Sequence, residues 1–168
     1  MRVVVVDKDD NFLGYKDRND RNLEDITRIS GVWLINENNE VLIAQRALDK
    51  VHDPGKWGPS AAGTVEEGEG YEINAVKETG EELGFHIDPE KLILGPKRFA
   101  HTSHKYFVQM YFYKTDAKVD DFKIQKDEVE QVRWIDLPTL HKWLKEKPED
   151  FIASFRETLE DLKCLEID

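Results

Sequence analysis

The chain has 168 residues, with 35 Asp and Glu against 24 Lys and Arg, and carries a formal net charge of -11. A domain of this length buries about 70% of the surface its extended chain exposes, so no disulfide or structural metal is needed to hold a core. The excess of negative charge repels nucleic-acid backbones and anionic membranes, which excludes long DNA or RNA and leaves small phosphorylated ligands that a cation could mediate.

The first apolar run, Val3–Val6, is too short for a signal peptide, and no run approaches the length of a membrane span; the expected location is the cytoplasm. Residues 3–6 and 12–16 read as two short strands around the polar turn 7–11, and residues 17–27 as a surface loop. Strands are predicted over Ile29–Ile35 and Val41–Gln45, joined by Asn36-Glu37-Asn38-Asn39-Glu40, whose composition suits a hairpin turn. Residues 47–59 form a loop, and a short strand lies near Ser60–Val65.

A helix is predicted over Tyr71–Leu83, stopped by Gly84 at the position that favours a left-handed residue. Strands follow around Ile93–Ala100 and Tyr106–Tyr113, then a charged loop over 115–126 and a strand over Glu128–Trp134. Pro138 starts a helix over Leu137–Lys147, and Pro148 opens another that ends near Leu162. Trp143, Phe151 and Phe155 on these helices either pack on the sheet or form a homodimer surface. Cys164, the only cysteine, allows neither an intrachain disulfide nor a cysteine-based zinc site. Strands that alternate with helices indicate an α/β or α+β sandwich. There are no repeats or linkers, so one domain is expected over 1–168: N-terminal strands and loop (1–27), core (28–136) and C-terminal helices (137–168).

The predicted helix over 71–83 carries an unusual charge pattern. With Glu78 set at 0° and about 100° per residue, Glu81 falls at about 300° and Glu82 at about 40°. Ile73, Val76, Thr79 and Leu83 fall between about 100° and 220° on the opposite side. One face is therefore expected to pack on the core while the other presents three carboxylates. Like charges at these spacings destabilise a helix, and Glu81 and Glu82 also face the negative end of its dipole, with only Lys77 nearby to offset them. A divalent cation would reverse these effects, and hard oxygen ligands suit Mg²⁺ or Mn²⁺.

The spacing itself is specific. Gly63, Glu69, Glu78, Glu81, Glu82 and Gly84 fall in register with G-x5-E-x7-R-E-U-x-E-E-x-G-U, so the stretch Gly63–Phe85 resembles the Nudix box. Lys77 stands in place of the arginine, Thr79 in place of an aliphatic residue, and Phe85 supplies an aromatic last position. Gly55–Gly63 is similar to the lead-in strand of that family and Val132–Leu137 to its late strand, so the resemblance spans about residues 28–140.

The resemblance implies a Nudix-type α/β/α sandwich with a mixed β-sheet and C-terminal helices, and a Mg²⁺-dependent (or Mn²⁺-dependent) hydrolase that cleaves a phosphoanhydride bond in a small diphosphate-containing molecule, such as a nucleoside di- or triphosphate. By position, Glu78 and Glu82 would be the main metal ligands, with Glu81 near them and the backbone carbonyl of Ala62 or Gly63 as an extra donor. The general base would be Glu78 or Glu81 on the helix, or Glu128 or Glu130 beside the late strand, with Glu128 favoured as base or additional ligand. Glu69 would support the loop. Lysine is a point charge where arginine is a fork, so Lys77 implies weaker preorganisation, and a non-catalytic nucleotide-binding or sensor module of the same fold is the alternative.

Within the family, Trp33-Leu34-Ile35-Asn36 together with Gln45–Lys50 and Pro54–Trp57 resembles the branch of type-1 isopentenyl-diphosphate isomerase. That implies diphosphate contacts for Arg46 and Lys50. The isomerase chemistry needs a thiol where this chain has Ala62, and metal-binding histidines where it has Thr64 and Thr27, so hydrolysis is expected over isomerisation. His101 and His104 are read as polar residues lining the pocket, with His104 or Lys105 near substrate.

Overall fold

The structure is a computed structural model and describes residues 1–165. Nine strands form one mixed sheet: β1 (Arg2–Val6), β2 (Phe12–Asp17), β3 (Ile26–Ile35), β4 (Val41–Arg46), β5 (Trp57–Gly58), β6 (Ala61–Thr64), β7 (Ile93–His101), β8 (Lys105–Lys114) and β9 (Val129–Ile135). Three helices accompany them: α1 (Tyr71–Leu83), α2 (Leu137–Glu146) and α3 (Phe155–Glu160). None of the described helices is long and apolar enough to cross a membrane.

The organising strand is β3. It runs parallel to β8 along its whole length, from Ile26↔Lys105 to Ile35↔Lys114, and antiparallel to β6 through Ile29↔Thr64 to Val32↔Ala61. From Val32 to Ile35 its residues are apolar on both faces, as a strand covered on both sides requires. Trp33 and Ile35 point to one side with Met110 and Phe112 of β8, into a core closed by α2 and α3 through Leu140, Leu144, Phe155 and Leu159. Val32 and Leu34 point to the other with Tyr111 and Tyr113, into a core closed by α1 through Ala75 and Leu83. The side-chain period of two thus builds the α/β/α sandwich directly. Trp33, wholly buried, donates its indole N–H to the carbonyl of Thr158 and so ties the C-terminal helix to the central strand at 3.0 Å.

Four local expectations need correction. β3 begins at Ile26, inside the segment read as loop, because Val5 and Val6 of β1 pair with Thr27 and Ile26. The loop over 47–59 contains β5, which pairs with β4. The loop over 115–126 contains a 3-10 turn at Val119–Asp121. The helix expected from Pro148 to Leu162 is broken: a 3-10 turn spans Pro148–Asp150, α3 begins only at Phe155, and a further 3-10 stretch covers Asp161–Leu165. Tertiary pairing overrides the helical pattern there. Phe151 bridges Trp57 in extended form, and the N–H of Ile152 donates to the carbonyl of Trp57 at 3.0 Å. Trp143, Phe151 and Phe155 pack edge-to-face or tilted on one another against the sheet.

Candidate active site

The site is assembled where α1 lies across β6. Tight turn residues join the two, including Gly68 at φ 84°, a backbone conformation that suits glycine. The helix stops at Gly84, whose φ of 58° is left-handed and whose N–H donates to the carbonyl of Gly80. The last carbonyls of α1 are not left to solvent: Lys123 and Gln125 donate their N–H groups to Leu83 and Glu82 at 2.8 and 2.9 Å. This docks the segment before β9 on the end of the helix and brings Glu128 to the same cleft.

The helix is rotated from the orientation that its aliphatic residues suggested. Asn74, Ala75, Thr79 and Leu83 face inward, whereas Ile73, expected on the core face, is 60% exposed. The inward arc therefore includes Glu78 and Glu82. Of the three carboxylates expected on an outward face, only Glu81 is exposed. A Cβ on Gly63 would lie 2.1 Å from the carboxyl carbon of Glu78, so Glu78 occupies the volume that the glycine leaves free. Glu82 accepts a 3.3 Å hydrogen bond from the N–H of Ala62.

Burial and the neighbouring charge of Glu78 push the Glu82 carboxyl up to about 8, with Glu128 adding to the rise, against the Ala62 N–H and Arg46. Burial also raises Glu78, opposed by Lys77 and reinforced by Glu81. Two crowded carboxylates share too little cationic compensation, a pattern that marks functional sites.

Beneath them lies a buried polar hub. Asn74, fully buried, donates to the carbonyl of Thr64, to Glu69 and to Glu78 at 3.1, 2.9 and 3.3 Å, and accepts from the hydroxyl of Ser30. Lys77 binds Glu69 at 2.7 Å and Glu66 at 2.9 Å, and lies 4.0 Å from Glu78. Burial alone would raise Glu69, but its bonds from Lys77, Asn74 and the Glu66 N–H hold it below the usual carboxylate range.

Glu78 and Glu82, above this hub, open onto a cleft of about 830 Å³. Arg46, Lys50, Glu66, Glu78, Glu81, Glu82 and Glu128 line it, and Ile29, Val108 and Met110 are among its apolar lining residues. Lys50 and Glu128 pair at 2.6 Å, and the carbonyl of Glu128 accepts from the N–H of Ala47, which fixes the two segments together. Glu130 does not line the cleft.

The model of the NUDIX domain matches residues 26–155. The chain belongs to the Nudix family.

Among its relatives is an isopentenyl-diphosphate Delta-isomerase from Burkholderia multivorans, 29% identical over 164 residues, which cover 95% of this chain and 91% of that one. A prenyl-diphosphate phosphatase from Methanosarcina mazei is 27% identical over 156 residues, covering 92% and 91%. A Deinococcus radiodurans protein of known crystal structure shares the fold at a TM-score of 0.79 and 22% identity, over 95% of this chain and 98% of that one.

On this Nudix framework the structure brings Gly63, Glu78, Glu81, Glu82, Glu128, Arg46 and Lys50 to one cleft. His104 lines it too, whereas His101 and Lys105 do not, and Lys105 instead pairs with Glu24 at 2.8 Å. Sequence reasoning missed Asn74 and Glu66. Asn74 sits four residues before Glu78, at a spacing that puts the two on one helical face, and that was the available signal. Asn74→Ala is expected to cost about 1–3 kcal/mol in urea unfolding, because it strands the Thr64 carbonyl and the Ser30 hydroxyl without their buried partner.

Proposed function

We propose that this Nudix protein is a Mg²⁺- or Mn²⁺-dependent hydrolase that cleaves a phosphoanhydride bond in a small diphosphate-containing substrate such as a nucleoside di- or triphosphate. The observation that carries the reading is the pair Glu78 and Glu82, held against the β6 backbone in a cleft that also contains Arg46, Lys50 and Glu128. A hard dication fits this donor set, because it would relieve the burial and mutual repulsion that push Glu82 up to about 8. Among the described residues no three His, Cys, Asp or Glu side chains already converge as a ligand set. Glu78 and Glu82 would hold the metal with the carbonyl of Gly63, and the exposed Glu81, which lines the same cleft, would have to turn inward to join them. Bound there, it would neutralise phosphate charge and acidify the attacking water.

The protein's own groups account for the remaining tasks. Arg46 and Lys50 supply the fixed cations that a diphosphate needs. Lys50 is paired with Glu128, so a phosphate that recruits Lys50 frees the Glu128 carboxylate to accept a proton from water. Lys77 acts through Glu66 and Glu69 rather than on substrate, and steadies the helix start and the loop before it.

The names of the relatives bring isoprenoid diphosphates into consideration, and the apolar lining of the cleft is compatible with a prenyl chain or a base. Isomerisation is disfavoured because Ala62, Thr27 and Thr64 provide neither the thiol nor the imidazoles. The test is release of phosphate or pyrophosphate from a panel of nucleotides, nucleotide sugars and prenyl diphosphates, with Mg²⁺ and with EDTA. Turnover confined to the Mg²⁺ arm is expected. Tight nucleotide binding by calorimetry with no turnover across the panel would replace this reading with that of a sensor module.

A further inference from the structure

The cleft has a second, cationic end. The 3-10 turn after β2 (Arg18–Asp20), the β4–β5 loop and the β7–β8 turn bring Arg18, Arg21, His52 and His104 onto its wall. Such clustering stands out in a protein of net charge -11. Burial and then Arg18 draw the Arg21 guanidinium below its usual range, and burial followed by Arg21, His52 and Arg18 draws the His104 imidazole down. These groups repel one another.

The acids of the surrounding segments offset them only in part: Asp25 acts on Arg21 less strongly than burial and Arg18 do, and Asp20 and Asp49 form no ion pair with either arginine among the described residues. Asp17 pairs with the amino terminus at 3.5 Å, Asp25 with Lys16 at 2.7 Å, Glu24 with Lys105 at 2.8 Å and Asp53 with Lys56 at 3.6 Å. Among the described residues neither Arg18 nor Arg21 forms an ion pair. The Nε of Arg21 donates to the carbonyl of Arg18 at 3.2 Å, which fixes the Arg21 side chain, and the ring of His52 meets that of His104 edge-on with centroids 6.3 Å apart. Arg46 donates to the carbonyl of His52 at 3.0 Å, which links this end to the cation proposed to hold the diphosphate. Arg18 and Arg21 lie before residue 26, outside the matched domain, whereas His52 and His104 lie within it, so the N-terminal segment supplies the two arginines.

We propose that Arg18, Arg21, His52 and His104 form a second phosphate-binding subsite, which takes a further phosphate group beyond the one at Arg46 and Lys50. Guanidinium groups without ion-pair partners on the wall of a cavity, with imidazole nitrogens beside them, are the arrangement that recognises phosphate oxygens. The substrate class is thereby narrowed to ligands with at least three phosphates, or with one phosphate set apart from the diphosphate, in preference to a plain diphosphate ester of an apolar alcohol. The role in turnover rests on the hydrolase reading; binding to the subsite does not, since it needs no metal.

The test is calorimetric titration of the full chain with inorganic tripolyphosphate and with pyrophosphate, in EDTA at low salt. Tripolyphosphate is expected to bind at least about tenfold more tightly than pyrophosphate, an advantage lost in Arg18→Ala/Arg21→Ala and largely kept in Arg18→Lys/Arg21→Lys. Shifts of the His52 and His104 imidazole resonances during the titration support the same placement. Arg18 is exposed and Arg21 half-buried, so an unchanged thermal melt of the alanine variant controls for folding. Equal affinity for the two anions, or an advantage that survives in the alanine variant, overturns the subsite. A protein that prefers tripolyphosphate yet turns over nothing in the substrate panel loses the hydrolase reading alone.

Discussion

Glu82→Gln is expected to lower Mg²⁺-dependent turnover by about a hundredfold or more, and at the same time to make the metal-free protein more stable at pH 8. The first effect follows from removing one of the two carboxylates that face β6, since a neutral amide contributes far less to holding a dication. The second follows from linkage. The Glu82 carboxyl is pushed up from 4.5 to about 8 on folding, so between those values the folded protein binds more protons than the unfolded chain, and stability falls as pH rises through that window. By pH 8 the loss is on the order of a few kcal/mol, and the glutamine variant escapes it. Urea unfolding in EDTA at pH 5 and pH 8 measures it: wild type should lose stability across the interval, and Glu82→Gln should lose much less. Added Mg²⁺ should restore the wild type at pH 8. A variant with undiminished Mg²⁺-dependent turnover would remove Glu82 from the metal site, and a wild type equally stable at both pH values would contradict the crowding of Glu78 and Glu82.

Gly63→Ala is the second large effect. The new methyl would lie 2.1 Å from the carboxyl carbon of Glu78, closer than non-bonded atoms can approach, so Glu78 or the β6 backbone must move. Turnover should fall about a hundredfold, because misplacement of a reacting group by an ångström is enough for such a loss. Stability should change much less, because what the methyl meets is the flexible end of the Glu78 side chain rather than backbone. Gly84→Ala acts at the other end of the helix, where Lys123 docks. There the backbone is left-handed and the added Cβ would meet the carbonyl oxygen of Lys123 at 2.6 Å, so stability should fall while the volume beside Glu78 is untouched. Gly63→Ala retaining full turnover would show that the approach of Glu78 to β6 is dispensable.

The distribution of what was legible follows from the range of the interactions involved. The apolar runs of β3, β4 and β8 declared themselves because strand burial on two faces is written as a nearly continuous apolar stretch, and α1 declared its C-terminal end through Gly84. The box glutamates were readable because helical spacing alone puts Glu78 beside Glu82. The rotation of α1 was not readable. The aliphatic residues pointed to Ile73 as core, yet the hub of Asn74, Ser30 and Thr64 turned a polar residue inward and left Ile73 exposed. The break before α3 likewise depends on Phe151 reaching Trp57, 94 positions away in the chain.

The sequence by itself determined the layered architecture, the place of the acidic helix and the absence of a thiol at Ala62, since each depends on local period, spacing or identity. Only the tertiary structure decided that Glu78 and Glu82 face the β6 backbone while Glu81 faces solvent. It also decided that Lys50 meets Glu128 and that Arg18 and Arg21 share a cleft with His104. The physical reason is that hydrogen bonds and charges between distant segments depend on how the sheet and helices dock, and that docking leaves no periodic mark along the chain.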